Sequence, residues 1–340
     1  MDWKNIFKRR GSHTPSSVVI ETPRASAPRH SDNRRRALRS QQATDVQIDQ
    51  IASLDRLLEA WRKVKANHGS AGVDGVTIQA YERNLRANLE QLAEALKHGR
   101  YHPQPVKRIY VPKPSGGARP LAILAVEDRI VQRALYDLIA PRFERQFLDC
   151  SFGFREGRST QDAVRRIVEL RQRGLRWVVD GDIKNCFEAI DHARLMRMIR
   201  AEVRDTGILR LIEAWLKARV LNELERRDLS VGTFQGGVLS PLLANIYLHT
   251  FDVALTQARY DLVRYADDWL ILCSSQRNAQ AALSAAIRAL DELQLAINPY
   301  KTRVVNFDQG FKFVGTFFVR DDHFDLSPSS SFNGDGFNSR

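Results

Sequence analysis

The sequence predicts an α+β fold built from amphipathic helices and antiparallel hairpins. Apolar residues recur at helical spacing in several segments, for example 48–67 and 277–293. Short apolar segments also stand on either side of tight turns, at 106–124 and at 262–272, which is the pattern of β-hairpins. Because parallel strands need long crossover connections, these hairpins argue against an all-parallel sheet.

The predicted elements run from a helical start to a strand-rich end. Ser240 and Pro241 predict one helix start, with serine as the N-cap and proline at the first helical position. Helices are predicted over 48–67, from Tyr81 to Leu96 with Gly99 as the stop, and over 126–148, 192–204, 207–220, 240–258 and 277–293; strands are predicted over 106–111, 119–124, 176–183, 262–264, 269–272, 302–307 and 311–319.

Charge is distributed unevenly along the chain. The 340 residues are 43% hydrophobic, enough for one large domain or two closely packed ones, and carry a formal net charge of +12. Residues 1–45 hold ten Lys/Arg and four Asp/Glu, a net of +6. We expect this segment to be a disordered basic leader that binds nucleic-acid phosphates, with a merely solvated tail as the alternative.

The cysteines indicate a reducing compartment. Cys150, Cys186 and Cys273 are far apart and show neither zinc spacing nor a disulfide framework. The sequence has no apolar segment long enough to span a membrane and no secretory signal at its start. We therefore expect a cytoplasmic protein with no membrane partner.

Two adjacent aspartates stand at the tip of the hairpin at 262–272. Like charges repel and aspartate is rare in strands, so Asp267 and Asp268 need a physical reason. A hard divalent cation such as Mg²⁺ supplies one, together with a third carboxylate on a neighbouring strand. Asp182, which ends an apolar strand, is the preferred third ligand; Asp180 lies on the same face, and Asp191 suits a helix N-cap. By itself such a pair is more often a solvated turn.

A series of short blocks follows in order from about residue 55 to 319. They are Asn67-His68-Gly69 with Gly72 to Thr77, Val111-Pro112-Lys113 with Arg119-Pro120-Leu121, Glu127 to Gln132, Ser151 to Arg155 with Gly157 to Ser159, Asp180 to Phe187 with Ile190-Asp191-His192, Gln235 to Asn245, Tyr265 to Asp268, Asn298 with Lys301-Thr302, and Phe313-Val314-Gly315. In this order the blocks resemble those of bacterial reverse transcriptases of the group II intron lineage.

The resemblance implies an RNA-directed DNA polymerase with a two-metal centre. Asp182, Asp267 and Asp268 would hold two Mg²⁺ ions, with Mn²⁺ as a substitute, and the Ile183 carbonyl would be a further ligand. Nucleotide contacts are implied for Lys113, Arg119, Phe187, Gln235 and Lys301; template or primer contacts are implied for Arg155, Arg158, Phe313 and Gly315. The simpler alternatives are exposed hairpin charges for Lys113 and Arg119, a core position for Phe187, and charge balance for Lys301.

The resemblance also implies the fingers and palm of a right-hand polymerase, with an antiparallel palm sheet flanked by helices. The expected divisions are 1–45 as the leader, 46–175 as N-terminal extension and fingers, 176–325 as palm with primer grip, and 326–340 as a disordered tail. The thumb is expected to be absent or truncated. Two departures from the family pattern are Phe234 in place of a proline and the segment 121–126, which lacks the usual glycine and proline.

The expected substrates are an RNA template, a DNA or RNA primer and dNTPs, with a partner protein supplying a thumb or an integrase function. The expected setting is derived from a group II intron, such as antiviral defence or CRISPR spacer acquisition. Two alternatives stay open: a maturase-type RNA-binding protein, and a polymerase that copies DNA or needs no template. The intact set of three aspartates argues against a pure RNA binder.

Overall fold

The computed structural model describes residues 46–112, 118–218, 220–221, 226–227 and 236–326. In these ranges the helices are α1 Ile48–Ile51, α2 Leu54–Ala66, α3 Ile78–Glu82, α4 Leu85–Lys97, α5 Val126–Glu144, α6 Thr160–Gln172, α7 Cys186–Ala189, α8 His192–Arg200, α9 Thr206–Leu216, α10 Ser240–Gln257 and α11 Gln276–Glu292. The strands are β1 Val106–Pro112, β2 Ala118–Ile123, β3 Trp177–Asp182, β4 Val220–Leu221, β5 Arg226–Arg227, β6 Asp261–Tyr265, β7 Asp268–Cys273, β8 Arg303–Asn306, β9 Phe311–Phe313, β10 Thr316–Val319 and β11 Asp322–Asp325.

A four-stranded antiparallel sheet positions the candidate site. Its strand order is β6-β7-β3-β8, and each neighbouring pair is antiparallel. Side chains alternate between the two faces. Val179 and Trp269 belong to the larger buried cluster with α10 and α11, whereas Val178 and Leu270 belong to a second cluster with α6. Helices therefore cover both faces of the sheet, and the apolar side chains on each face are buried.

The predicted hairpin near residue 112 is present. Strands β1 and β2 pair antiparallel with Val111 opposite Arg119, and β4 and β5 extend their sheet. Residues 113–117 between them, and therefore Lys113, lie outside the described residues.

A third sheet follows β8 and carries a two-residue turn. Its strand order is β11-β10-β9, and Phe313 pairs with Thr316 across Val314 and Gly315. Both turn residues have positive φ, 43° at Val314 and 81° at Gly315. Two consecutive residues with positive φ are the mark of a type I′ hairpin turn, for which glycine is well suited.

Some helix predictions need correction. The predicted helix 48–67 is two helices, because Ser53 stops α1 and caps α2 by accepting a hydrogen bond from the Arg56 amide. The second predicted helix is also split, into α3 and α4. Ser240 was predicted as the N-cap of α10, but it is the first helical residue and the N-cap is Leu239. Pro241 lies at the start of the helix, where proline is favoured. Helix α6 was not predicted, although Ser159 and Asp162 form a capping box there.

No helix in the described ranges is both long enough and apolar enough to cross a membrane.

Candidate active site

Three carboxylates meet at one end of the central sheet. The register of β3 and β7 places Asp182 directly opposite Asp268. Asp268 also pairs with Tyr265, so Ala266 and Asp267 form the two-residue turn between β6 and β7. Alternation along β3 puts Asp180 and Asp182 on the same face. The structure thus brings together the aspartates that the sequence singled out.

Main-chain hydrogen bonds join the end of β3 to the segments around it. The Ile183 amide donates to the Asp267 carbonyl at 3.4 Å, which ties β3 to the turn. The Asn298 amide donates to the Asp182 carbonyl at 2.8 Å, and the Asp182 amide donates to Thr302 Oγ1 at 3.3 Å. Asp182 is therefore fixed by the turn that precedes β8.

A lysine neutralises part of the carboxylate charge. Lys301 Nζ lies 2.6 Å from Asp182 Oδ1, and this hydrogen bond, against a smaller effect of burial, raises the pKa of Lys301. The Lys301 side chain is 64% exposed, whereas the Asp182 side chain is 11% exposed. The cation therefore sits at the open side of the site, where it also faces Asp267 and Asp268.

The two aspartates of the turn hold their protons more tightly than usual. Burial raises the pKa of Asp267, and the charge of Asp182 adds to this effect. Asp268 is open to solvent on one side, but the protein removes water from its other sides. This desolvation, followed by the charges of Asp267 and Asp182, raises the pKa of Asp268 to about 7.

The site opens into a shallow cavity of about 330 Å³. Asp180 lies on its wall and is paired with Arg303, whose Nε is 3.1 Å from Asp180 Oδ2. Tyr300 stands at the rim with 98% of its surface exposed. The residues around the cavity are Asp180, Gly181, Asp182, Asp268, Tyr300, Lys301 and Arg303.

The donors at this site suit a hard cation. Carboxylate and carbonyl oxygens are the ligands that Mg²⁺ prefers, and closely spaced carboxylates with raised pKa values gain from a divalent charge. Within the part of the chain that the structure describes, no three His, Cys, Asp or Glu side chains already stand in a metal-binding arrangement. The fit therefore rests on the chemistry of the donors and on the strand register.

Comparison with known proteins identifies the family. The profile of the family described as reverse transcriptase (RNA-dependent DNA polymerase) matches residues 111–318, which contain all three carboxylates. The chain belongs to this reverse-transcriptase family. The expected enzyme class, RNA-directed DNA polymerase, is confirmed at the level of the family.

The relatives of this reverse transcriptase include a group II intron-encoded protein. Protein YkfC of Escherichia coli is 32% identical over 311 residues, which cover 79% of this chain and 82% of that protein. The group II intron-encoded protein LtrA of Lactococcus lactis is 37% identical over 201 residues, covering 59% of this chain and only 33% of LtrA. A telomerase structure from Candida albicans shares the fold, with a TM-score of 0.51, 14% identity, and coverage of 72% of this chain and 49% of that one.

The nucleotide contacts expected for a reverse transcriptase fall partly outside the described residues. Lys113 and Gln235 lie outside them, and only the main chain of Arg119 is described, in β2. Phe187 lies in α7, half-buried against the main core, five residues beyond Asp182. Gly236, next to Gln235, has a φ of 112° and approaches the Ala122 carbonyl so closely that a Cβ would lie 2.5 Å from it.

Of the two arginines expected at the template, Arg155 has a different environment. It is 9% exposed, its Nε lies 2.9 Å from Glu144, and its Nη1 donates to the carbonyls of Leu148 and Ser151. Nε and Nη1 are thus engaged within the protein, and these contacts support the fold. Arg158 is more open, with 29% exposure, and pairs with Asp149.

The two residues expected at the primer lie in different environments. Phe313 is 5% exposed and packs in the aromatic cluster of the third sheet, so its side chain supports the turn from below. Gly315, in contrast, is exposed at the tip of that turn. A contact with a primer would therefore come from the turn's main chain.

Sequence reasoning missed the charged groups beneath the Ala266-Asp267 turn. Arg264 and Asp252 are both fully buried and form an ion pair. Their signal was available: an arginine inside an apolar strand and an aspartate inside an apolar helix are costly unless they are paired. Asn245 ends the block that begins at Gln235, but the sequence does not indicate that its side chain contacts both Arg264 and Gly153.

Proposed function

We propose that this chain extends a primer by copying RNA into DNA through two-metal nucleotidyl transfer at Asp182, Asp267 and Asp268. The observation that carries the proposal is the pairing of Asp182 with Asp268 across β3 and β7. It joins two distant carboxylate blocks at one site inside the segment matched by the reverse-transcriptase family.

The metal would contribute charge stabilisation. In this type of chemistry, two ions stabilise the attacking 3′ oxygen and the leaving pyrophosphate. Asp182, Asp267 and Asp268 would hold them, and the Ile183 carbonyl is proposed as an additional ligand.

Lys301 is proposed to act on the leaving group. Its ammonium group lies at the open side of the site, and its hydrogen bond to Asp182 keeps it protonated. A protonated amine beside the triphosphate would donate a proton to the departing pyrophosphate. Phe187, half-buried on α7, is proposed to lie under the sugar and to disfavour a 2′-hydroxyl, for which an apolar wall gives modest discrimination.

The wider architecture is proposed to be that of a right-hand polymerase. The β1–β2 hairpin and the helices before residue 176 would form the N-terminal extension and fingers, and the sheet β6-β7-β3-β8 with α10 and α11 would form the palm. The relationship to LtrA supports a group II intron origin. A defence or spacer-acquisition role remains a prediction of the sequence.

Primer extension on matched RNA and DNA templates tests the proposal. The full chain should extend a DNA primer on RNA with Mg²⁺ or Mn²⁺, and Asp267→Asn and Asp268→Asn should each reduce the rate by at least about 10³-fold, because each removes a metal ligand. Asp291→Asn, an exposed aspartate at the end of α11, is the matched control and should retain the wild-type rate.

The outcomes separate the alternatives. Extension on DNA but not on RNA would favour a DNA-copying polymerase, and RNA binding without extension would favour a maturase-type protein. Extension that survives both aspartate substitutions would contradict the proposed metal ligands.

In the same assay, Phe187→Ala should increase ribonucleotide incorporation, and unchanged sugar selectivity would reject the role of Phe187.

A further inference from the structure

A fully buried arginine lies directly beneath the catalytic turn. Arg264, in β6, stands three residues before Asp267, and its side chain is 0% exposed. Its partner Asp252, in α10, is also 0% exposed. Neither residue faces the cavity of the site, so neither has a direct part in the chemistry proposed above.

Every donor of the Arg264 guanidinium has an acceptor. Nε and Nη2 bind the two carboxylate oxygens of Asp252, each at 2.6 Å. Nη2 also donates to Ser151 Oγ at 2.8 Å, and Nη1 donates to Asn245 Oδ1 at 2.9 Å. The fifth hydrogen bond goes from Nη1 to the carbonyl of Ala266, inside the turn, at 2.9 Å. This set accounts for all five N–H groups of an arginine.

The turn that receives this hydrogen bond has a strained conformation. Ala266 has a φ of 58°, in the left-handed region that costs a non-glycine residue about 1 kcal/mol or more. Such a conformation persists only where the surroundings determine it. A residue in this position also sets the direction in which the next residue, Asp267, leaves the turn.

A second contact holds the turn from the side. Gly153 packs so closely that a Cβ there would lie 2.4 Å from the Ala266 amide nitrogen. Asn245 Nδ2 donates to the Gly153 carbonyl at 2.8 Å, which connects this contact to the same arginine. The main chain of Arg264 is paired with this segment as well, through Arg264 N to Cys150 O at 2.7 Å and Phe152 N to Arg264 O at 2.8 Å.

We propose that Arg264, held by Asp252, Asn245 and Ser151, is a positioning residue that fixes the Ala266 turn so that Asp267 and Asp268 are aligned to bind the catalytic metal ions. This inference rests on the proposed two-metal function. Stability alone is a weak reason for such a pair, since buried ion pairs are often no more stabilising than apolar residues of the same volume. A network whose last hydrogen bond enters the catalytic turn has a geometric consequence that an apolar cluster would lack.

The substitution Arg264→Lys tests this role because it keeps the positive charge but removes most of the hydrogen-bond donors of the guanidinium. A lysine offers one nitrogen, which can remain with Asp252 but cannot also bind Ser151, Asn245 and the Ala266 carbonyl. The matched control is Arg171→Lys. Arg171 is a buried arginine on α6 whose Nη1 donates to the carbonyls of Arg320 and Asp322, beside a different hairpin turn.

Three quantities are measured on the full chain: Mn²⁺ affinity, kcat for extension, and primer–template affinity. Mn²⁺ binding is followed by electron paramagnetic resonance in a complex with a dideoxy-terminated primer, an RNA template and a dNTP, and kcat for extension is measured separately. For Arg264→Lys we expect Mn²⁺ affinity and kcat each to fall about tenfold or more, as is typical when the support of a metal ligand is removed. Primer–template affinity should stay at the wild-type value, and Arg171→Lys should match the wild type in all three.

The milder substitution Asn245→Ala keeps the Arg264–Asp252 ion pair, so it provides a second test in case Arg264→Lys does not fold. It should weaken Mn²⁺ binding in the same direction, by a smaller factor. If Arg264→Lys is unfolded, Asn245→Ala decides. The inference is overturned if Arg264→Lys folds and has wild-type Mn²⁺ affinity and kcat. If Arg264→Lys does not fold, the same result for Asn245→Ala overturns it. Failure of the proposed two-metal function would appear differently: Asp267→Asn would then bind Mn²⁺ as tightly as the wild type.

Discussion

At the scale of single residues, the carboxylates of the site combine strong repulsion with weak solvation. Asp268 pairs with Asp182 across the strands and follows Asp267 directly in the chain. Lys301 offsets one of these charges, through Asp182. Burial is the main cause of the raised pKa values of Asp267 and Asp268, and the remaining excess of negative charge adds to it.

The first prediction concerns stability against pH. The pKa of Asp268 is about 7 in the folded protein, against its ordinary value of 3.8, so the folded protein holds this proton more tightly than the unfolded chain. Ionisation of Asp268 therefore lowers the free energy of unfolding as the pH rises from about 4 to about 7, and the whole cost is present above 7. In EDTA at pH 8, Asp268→Asn should raise Tm by a few degrees, a gain that solvent screening limits.

This gain in Tm should shrink as the pH is lowered towards 4, where the wild-type carboxyl is protonated. Thermal unfolding at the two pH values measures it, with Asp291→Asn as the control outside the carboxylate cluster. An equal difference at both pH values, or a lower Tm for Asp268→Asn at pH 8, would contradict the assignment.

At the scale of elements, the close approach of β3 and β7 requires a residue without a side chain. Gly181 lies opposite Trp269 in the register, and a Cβ at Gly181 would lie 2.2 Å from the indole ring. Trp269 is fully buried and packs edge-on against Phe251, so the ring has little freedom to move. The glycine between Asp180 and Asp182 thus allows the two strands that carry the carboxylates to pack around one tryptophan.

The second prediction follows from this packing. Gly181→Ala should lower the free energy of unfolding by about 1–3 kcal/mol, the usual cost of overfilling a core. Trp269→Phe in the same chain should relieve the clash, so the double variant should be more stable than the sum of the single changes predicts. Chemical denaturation of the four proteins gives the coupling energy. Strictly additive effects would mean that the indole is not what limits position 181.

At the scale of the whole molecule, half of the net positive charge lies in about one-eighth of the chain. Residues 1–45 carry a net of +6 out of +12. They lie before the segment matched by the reverse-transcriptase family, which begins at residue 111. Such a segment would contribute to nucleic-acid affinity mainly through the release of counterions, which depends on salt.

The third prediction is a salt-dependent contribution from this segment. Deleting residues 1–45 should weaken RNA binding about tenfold at roughly 50 mM salt and much less at roughly 200 mM. The full chain with Arg34, Arg35, Arg36 and Arg39 replaced by glutamine is the matched control for chain length and should reproduce most of the loss. Fluorescence anisotropy with labelled RNA measures it; equal affinity of the full and shortened chains at low salt would leave the segment without a role in binding.

The sequence alone determined the type of fold and the residues of the carboxylate site. Short apolar segments on either side of a tight turn predicted the β6–β7 hairpin, and apolar residues leading into Asp182 predicted β3, because both patterns are local. The sequence-based prediction was wrong at Ser53, where a single polar residue divides a continuous apolar pattern into two helices.

Only the tertiary structure decided how the site is supported. It placed Asp182 opposite Asp268, turned Arg155 towards Glu144 and the core, and brought Ser151, Asn245 and Asp252 around Arg264. These contacts join residues up to 113 positions apart. No local pattern encodes such distances, because they arise when the sheet closes and each buried charge must find its partner.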